Sequence, residues 1–306
     1  MSDTQIEHVN DATVDRRGML KRAGLGALGL GALAGAGALI PARKASAQAA
    51  NVDVAVLNFA LNLEYLEAEY YLRALTGQGL QAADRVGGDG SLPGVVTALP
   101  NTLVSFKTDI LRQYAQTIAA DEQAHVRALR AALGTAAAAS PAIDVGPAFT
   151  TLALAAGLIA PGQTFNPYRD EISFLVGAFI FEDVGVTAYG GAAPLITDKG
   201  YLGAAASILA VEAYHAATVR TFLAIMGGGN VTDAIANLRS TLSAGAPNLD
   251  DAGTLVPGGD VILFPGDSNA LTYRRTTRQV LNIVYGSANA TSGLFFPNGL
   301  SGTIRA

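Results

Sequence analysis

Glu122-Gln123-Ala124-His125 and Glu212-Ala213-Tyr214-His215 each place a carboxylate and an imidazole three residues apart. On a helix that spacing turns both side chains to one face, so each segment offers an oxygen donor and a nitrogen donor together. Two more glutamates, Glu64 and Glu182, sit singly on apolar helical runs such as Ala178-Phe179-Ile180-Phe181-Glu182. A carboxylate buried in such a run without a partner is strongly destabilising, and coordination of a cation offsets the cost. Glu64, Glu122, His125, Glu182, Glu212 and His215 together supply four carboxylates and two imidazoles, the inventory of a dinuclear site inside a four-helix bundle. Four negative charges balance two divalent ions. Hard oxygen donors with imidazole and no thiolate favour iron or manganese, with zinc still open. The chain contains no Cys, which rules out thiolate ligands, a catalytic thiol and a disulfide framework.

The ligand pattern is duplicated. A shift of 118 residues sets Glu64 on Glu182 and Tyr71 on Tyr189, while Glu67 lands on Gly185. A shift of 90 sets Glu122 and His125 on Glu212 and His215, with Ile118 on Ile208 and Arg130 on Arg220. Glu67, one turn from Glu64, is a rival ligand, and the repeat favours Glu64. Glu69 reads as solvated. Asp121 and Asp183 each adjoin a ligand and are rotated about 100° from it, so they read as surface groups or as groups standing behind the ligands. Tyr71, Tyr114, Tyr189 and Tyr214 read as core aromatics on amphipathic helices, with hydroxyls able to serve the site. Arg274, Arg275 and Arg278 read as a solvated helix face.

Helical periodicity predicts the rods that must carry these groups. One runs from Val52 to Leu75, and a second from Asn101 or Thr102 to Leu133 with Gly134 as its stop. A third runs from about Arg169 to Tyr189, and a fourth from about Thr197 to Met226, ended by Gly227-Gly228-Gly229. Residues 76–100 read as a Gly-rich connection with room for a turn of helix. Residues 136–167, broken by four prolines, read as a long crossover with a short helix over Ala148 to Leu158. Beyond Ala244 the chain reads as an irregular extension with a helix over Tyr273 to Tyr285 and short strands such as Val261 to Phe264. The fold class is all-α: a four-helix bundle over 48–244 with a long crossover, and an extension over 245–306 packing on it.

The chain has 306 residues, half of them hydrophobic and 15% charged, enough for a well-filled core. A net charge of -5 opposes nucleic-acid binding, which needs clustered cations. Arg16-Arg17 precede an uncharged Ala, Gly and Leu stretch from Ala23 to Ile40, and Ala45-Ser46-Ala47 follows. This reads as a twin-arginine export signal over 1–47, cleaved near Ala47, leaving a periplasmic or otherwise exported mature chain without a membrane span.

The segment Leu63-Glu64-Tyr65-Leu66-Glu67-Ala68-Glu69-Tyr70-Tyr71, with the two Glu-x-x-His pairs, resembles the ferritin-like superfamily. That segment, Arg278-Gln279-Val280-Leu281-Asn282-Ile283-Val284-Tyr285 and the ending Phe295-Phe296-Pro297-Asn298-Gly299 are similar to the exported, desiccation-related ferritin-like family. The resemblance implies the same six ligands, with Glu122 and Glu212 bridging both ions and Glu64 and Glu182 terminal. It also implies metal-dependent chemistry on oxygen or peroxide, ferroxidase-like or manganese-catalase-like, in stress protection. A metal-stabilised, non-catalytic protein of the cell envelope is the alternative. The long loops argue against a storage shell and leave a smaller homo-oligomer open.

Overall fold

A computed structural model describes residues 47–243, 252–255 and 259–306. The segment on which the export reading falls lies, up to Ser46, outside the described residues. Among the described residues the long helices are α1 (Ala47–Thr76), then α3 (Asp109–Leu133), α5 (Glu171–Ala192) and α6 (Lys199–Ile225), with the one-turn α2 (Ala82–Arg85) between the first two. Strand β1 (Val96–Ala98) pairs in parallel with β2 (Ile143–Val145), Val96 opposite Ile143, and α4 (Pro147–Ala155) follows β2. After α6 come α7 (Gly229–Leu242) and α8 (Thr277–Val284). This is the expected all-α bundle with a long crossover.

Helix α1 packs chiefly on α3, and α5 on α6, with α1 and α5 meeting inside. From Phe174 to Tyr189 every residue of α5 is buried, and α1 is almost as enclosed from Val56 to Tyr71. A helix apolar on all sides must be covered on all sides. The flanking helices cover part of this surface, and β2, α4, α8 and the tail cover more. Phe295 stacks edge-on against Phe149 and Phe181, and its carbonyl accepts from the Asp144 backbone N–H. Glu171–Leu195 and Lys199–Ile225 both have the length and hydropathy to cross a membrane. In the first this accompanies 94% burial inside the protein, and each stretch carries a glutamate, Glu182 or Glu212, that is itself buried.

The helix ends show local chemistry at work. Asp170 caps α5 by accepting from Ser173 N–H, and Asp198 caps α6 by accepting from Gly200 and Tyr201. Gly77, at φ +73°, closes α1. The predicted start of α3 near Asn101 is displaced to Asp109 because distant groups take the backbone first. Thr102 Oγ1 donates to Arg73 O, Val104 N–H donates to Ala74 O, and Glu171 accepts from the N–H groups of Lys107 and Thr108. The triple glycine does end α6, but it only turns the chain into α7, which the sequence reading had not marked as a helix. In the extension the helix begins at Thr277, capped by a Thr276–Gln279 capping box rather than starting at Tyr273. Val261 makes one antiparallel bridge, to Leu255, in place of the expected strand.

Candidate metal centre

The four long rods bring all six sequence-selected side chains to one place. Glu64, Glu122, Glu182 and Glu212 are at most 1% exposed, His125 is 8% and His215 5% exposed. His125 Nδ1 lies 3.2 Å from Glu64 Oε2, 3.4 Å from Glu212 Oε1 and 3.6 Å from Glu122 Oε2. His215 Nδ1 lies 2.9 Å from Glu122 Oε1 and 3.7 Å from Glu182 Oε2. The atoms form two groups that share Glu122: Glu64, Glu122, His125 and Glu212 in one, Glu122, Glu182 and His215 in the other. Within each, one donor atom per residue lies within 4.8 Å of the others, close enough to hold a metal ion.

Buried oxygens without partners show what the pocket is built for. Both carboxylate oxygens of Glu122 and of Glu212, Glu182 Oε2 and His215 Nδ1 are buried with no hydrogen bond. The 2.9 Å approach of His215 to Glu122 is out of alignment for one, so it leaves both atoms free. Glu64 and Glu182 differ from the other pair, because a tyrosine holds one oxygen of each. Tyr71 donates to Glu182 Oε1, and Tyr189 donates to Glu64 Oε1. Glu122 and Glu212 thus keep both oxygens free and Glu182 keeps one, while Glu64 is held by Tyr189 at one oxygen and meets His125 Nδ1 at 3.2 Å with the other. A cation pair fits this donor set; without one, orphaned buried acceptors would be strongly destabilising.

Titration behaviour carries the same imprint. Burial first, and then the charge of Glu122, pushes the Glu212 carboxyl up. Burial also raises Glu182, against the pull of His215. Burial alone would lower both histidines, but the carboxylates around them prevail. His125 is raised by Glu122, Glu212 and Glu64, and His215, beside Asp121 and Glu122, is pushed up to about 11.

The neighbouring groups divide. Glu67 is buried at 4% exposure and faces the cluster; burial and then the charges of Glu212, Glu122, Glu64 and Glu182 hold its carboxyl well above the usual range. At its repeat partner Gly185 a Cβ would lie 2.3 Å from Glu212 Oε2 and 3.4 Å from Glu67 Oε1, so the glycine leaves the room that the Glu212 carboxylate occupies. Asp121 stands behind His215, its Oδ2 lying 3.1 Å from His215 Nε2. Asp183 points away from the centre into a buried ion-pair group, accepting from Arg220 at 2.7 Å and Arg239 at 2.9 Å.

Several surface expectations are corrected. Glu69 is fully buried, not solvated, because Arg73, Arg85 and the Leu80 N–H converge on it. Arg275 is buried at 1% exposure and donates to Thr187 and Ser243, whereas Arg274 is exposed. Tyr71 and Tyr189 are core aromatics as expected, but Tyr114 and Tyr214 are 44% and 75% exposed. Arg239, on the unmarked α7, had no sequence signal. The i, i+7 relation of Tyr71 and Tyr189 to the lone glutamates was a signal, visible in the repeat.

An all-α bundle with duplicated Glu-x-x-His helices facing two lone glutamates defines the ferritin-like class. The chain belongs to the ferritin-like domain family, whose model matches residues 52–224. It is 28% identical over 274 residues to the ferritin-like catalase Nec2 of Nesocodon mauritianus, covering 82% of this chain and 84% of that protein. It is 29% identical over 271 residues to the desiccation-related protein PCC13-62 of Craterostigma plantagineum, covering 82% and 83%. No solved structure matches the chain.

Proposed function

We propose that this protein is an exported dinuclear iron or manganese enzyme that consumes hydrogen peroxide in protection against oxidative or drying stress. The observation that carries the reading is the set of unpartnered, inward-facing donor atoms of Glu122, Glu182, Glu212 and His215. The name of the Nesocodon relative, a ferritin-like catalase, supports peroxide as substrate. The paired arginines ahead of Ala23 to Ile40 support export.

Glu122 and Glu212 would bridge, since both oxygens of each are free. Glu64 with His125, and Glu182 with His215, would complete the two positions. Bound iron or manganese supplies the electron changes needed to reduce one peroxide to water and oxidise another to oxygen. The chain's part is to hold geometry and exclude water. Tyr71 and Tyr189 fix the rotamers of Glu182 and Glu64 by holding Oε1 of each, so that Oε2 is the oxygen turned to the histidines. Asp121 accepts from His215 Nε2–H and so turns Nδ1 inward as a lone-pair donor. On the α1–α5 side, Phe295, Ile283 and Val284 line a small, mostly apolar cavity of about 20 Å³ beside Glu67. Behind His215 the Asp121 side chain is 40% exposed.

The test is metal analysis and peroxide consumption on the full chain exported by its own signal. Two equivalents of iron or manganese per chain, with turnover well above that of free ion and lost in Glu122→Ala, is the expected result. If Glu122→Ala equals wild type, the reading fails. Bound metal without turnover would favour a metal-stabilised, non-catalytic protein of the cell envelope.

A further inference from the structure

The duplicated halves agree at nearly every point around the centre. Glu64 and Glu182 are each held by a tyrosine from the other's helix, and Glu122 and Glu212 each have two free oxygens. His125 and His215 both aim Nδ1 inward. The halves disagree behind the histidines. The residue before Glu122 is Asp121, and its repeat partner before Glu212 is Val211. Asp121 Oδ2 lies 3.1 Å from His215 Nε2, whereas Nε2 of His125 has no hydrogen-bond partner among the described residues.

We propose that the two metal positions are inequivalent, and that Asp121 makes the His215 position the tighter one and the first to fill. The inference rests on the dinuclear reading above. A carboxylate on the far nitrogen of a ligating imidazole fixes the tautomer and ring orientation and raises ligand basicity. His215 therefore meets an incoming ion with its lone pair already oriented. His125 has no such carboxylate at the same atom among the described residues, and its ring is met only from the inner side, by Glu64 Oε2 at 3.2 Å from Nδ1. The other break in symmetry, Glu67 against Gly185, does not single out a histidine. Its carboxyl approaches Glu212, which has both oxygens free to serve both positions.

The experiment is titration of the full, chelator-stripped chain with Mn(II), followed by calorimetry and by the Mn(II) paramagnetic resonance spectrum. Wild type should bind in two steps at least about tenfold apart, the first giving the signal of an isolated ion and the second that of a coupled pair. Asp121→Asn should weaken the first step by about 10- to 100-fold, the usual loss for such a partner, and leave the second unchanged. His215→Ala should remove the tight step and His125→Ala the weak one, while Val211→Asp should tighten the weak step. Two unresolved steps in wild type, or an equal loss at both steps in Asp121→Asn, would overturn the proposal. A wild-type chain that binds no Mn(II) would instead overturn the dinuclear reading beneath it.

Discussion

Tyr71 on α1 donates its hydroxyl to Glu182 on α5, and the converse bond runs from Tyr189 on α5 to Glu64 on α1. Each tyrosine follows its own helix's lone glutamate by seven residues, two helical turns, yet serves the glutamate of the opposite helix. The two innermost helices are thus cross-tied at the level of the site. Burial first, then the facing carboxylate, holds both phenols well above their ordinary pKa, so they stay donors at any physiological pH.

Removing one tie leaves a buried carboxylate oxygen without a donor. Tyr71→Phe keeps the ring and loses only the hydroxyl, so the loss isolates the hydrogen bond. A buried acceptor left unsatisfied costs about 1–3 kcal/mol, and metal-free Tyr71→Phe should unfold in urea with about that loss. The same holds for Tyr189→Phe. A change below about 0.5 kcal/mol in both variants would show that the ties hold nothing.

The metal-free site should make stability fall as pH rises. The carboxyls of Glu67, Glu182 and Glu212 are raised above the ordinary 4.5, and the imidazoles of His125 and His215 above 6.5, to about 11 at His215. Above those ordinary values the folded chain holds protons that the unfolded chain has released, so the folded state loses ground with each step upward in pH. The loss opens near 4.5 with the carboxyls, is joined near 6.5 by the histidines, and at His215 runs to about 11. Metal binding displaces these protons. Scanning calorimetry should therefore find the melting temperature of stripped protein falling from about pH 5 to about pH 9, and the gap to loaded protein widening. A flat profile for the stripped chain would contradict the crowding of charges at the centre.

The six donors were legible because helix geometry converts an i, i+3 spacing directly into a shared face, and because duplication marked which lone glutamates matched. What escaped was decided by partners distant in sequence. Glu69 reads as solvated until Arg85 and the Leu80 N–H, from the next segment, close over it. Helix α3 starts late because Glu171, more than sixty residues on, takes the Lys107 and Thr108 N–H groups. Helix α7 hid behind three glycines that look like an ending and act as a turn. Its Arg239 then completes the pairing of Asp183, a residue whose neighbour Glu182 faces the centre and whose own side chain serves the fold.

Gly185 separates the needs of the fold from those of the site. It lies within α5, where alanine is favoured over glycine by about 1 kcal/mol. The added methyl would meet Glu212 Oε2 at 2.3 Å and Glu67 Oε1 at 3.4 Å. Only the first contact is intolerable, and it falls on the far end of a flexible side chain that can swing aside. Gly185→Ala should therefore leave the metal-free melting temperature unchanged or slightly raised while displacing the Glu212 carboxylate. Elemental analysis and calorimetry of the variant should show fewer than two ions per chain, or weakened affinity, because the proposed centre draws on Glu212. Two ions bound with wild-type affinity would mean that Glu212 does not coordinate from where the structure places it. Folding that collapses instead would mean that the carboxylate has no room to move, which a parallel Gly185→Ala, Glu212→Ala variant would reveal by recovering the lost stability.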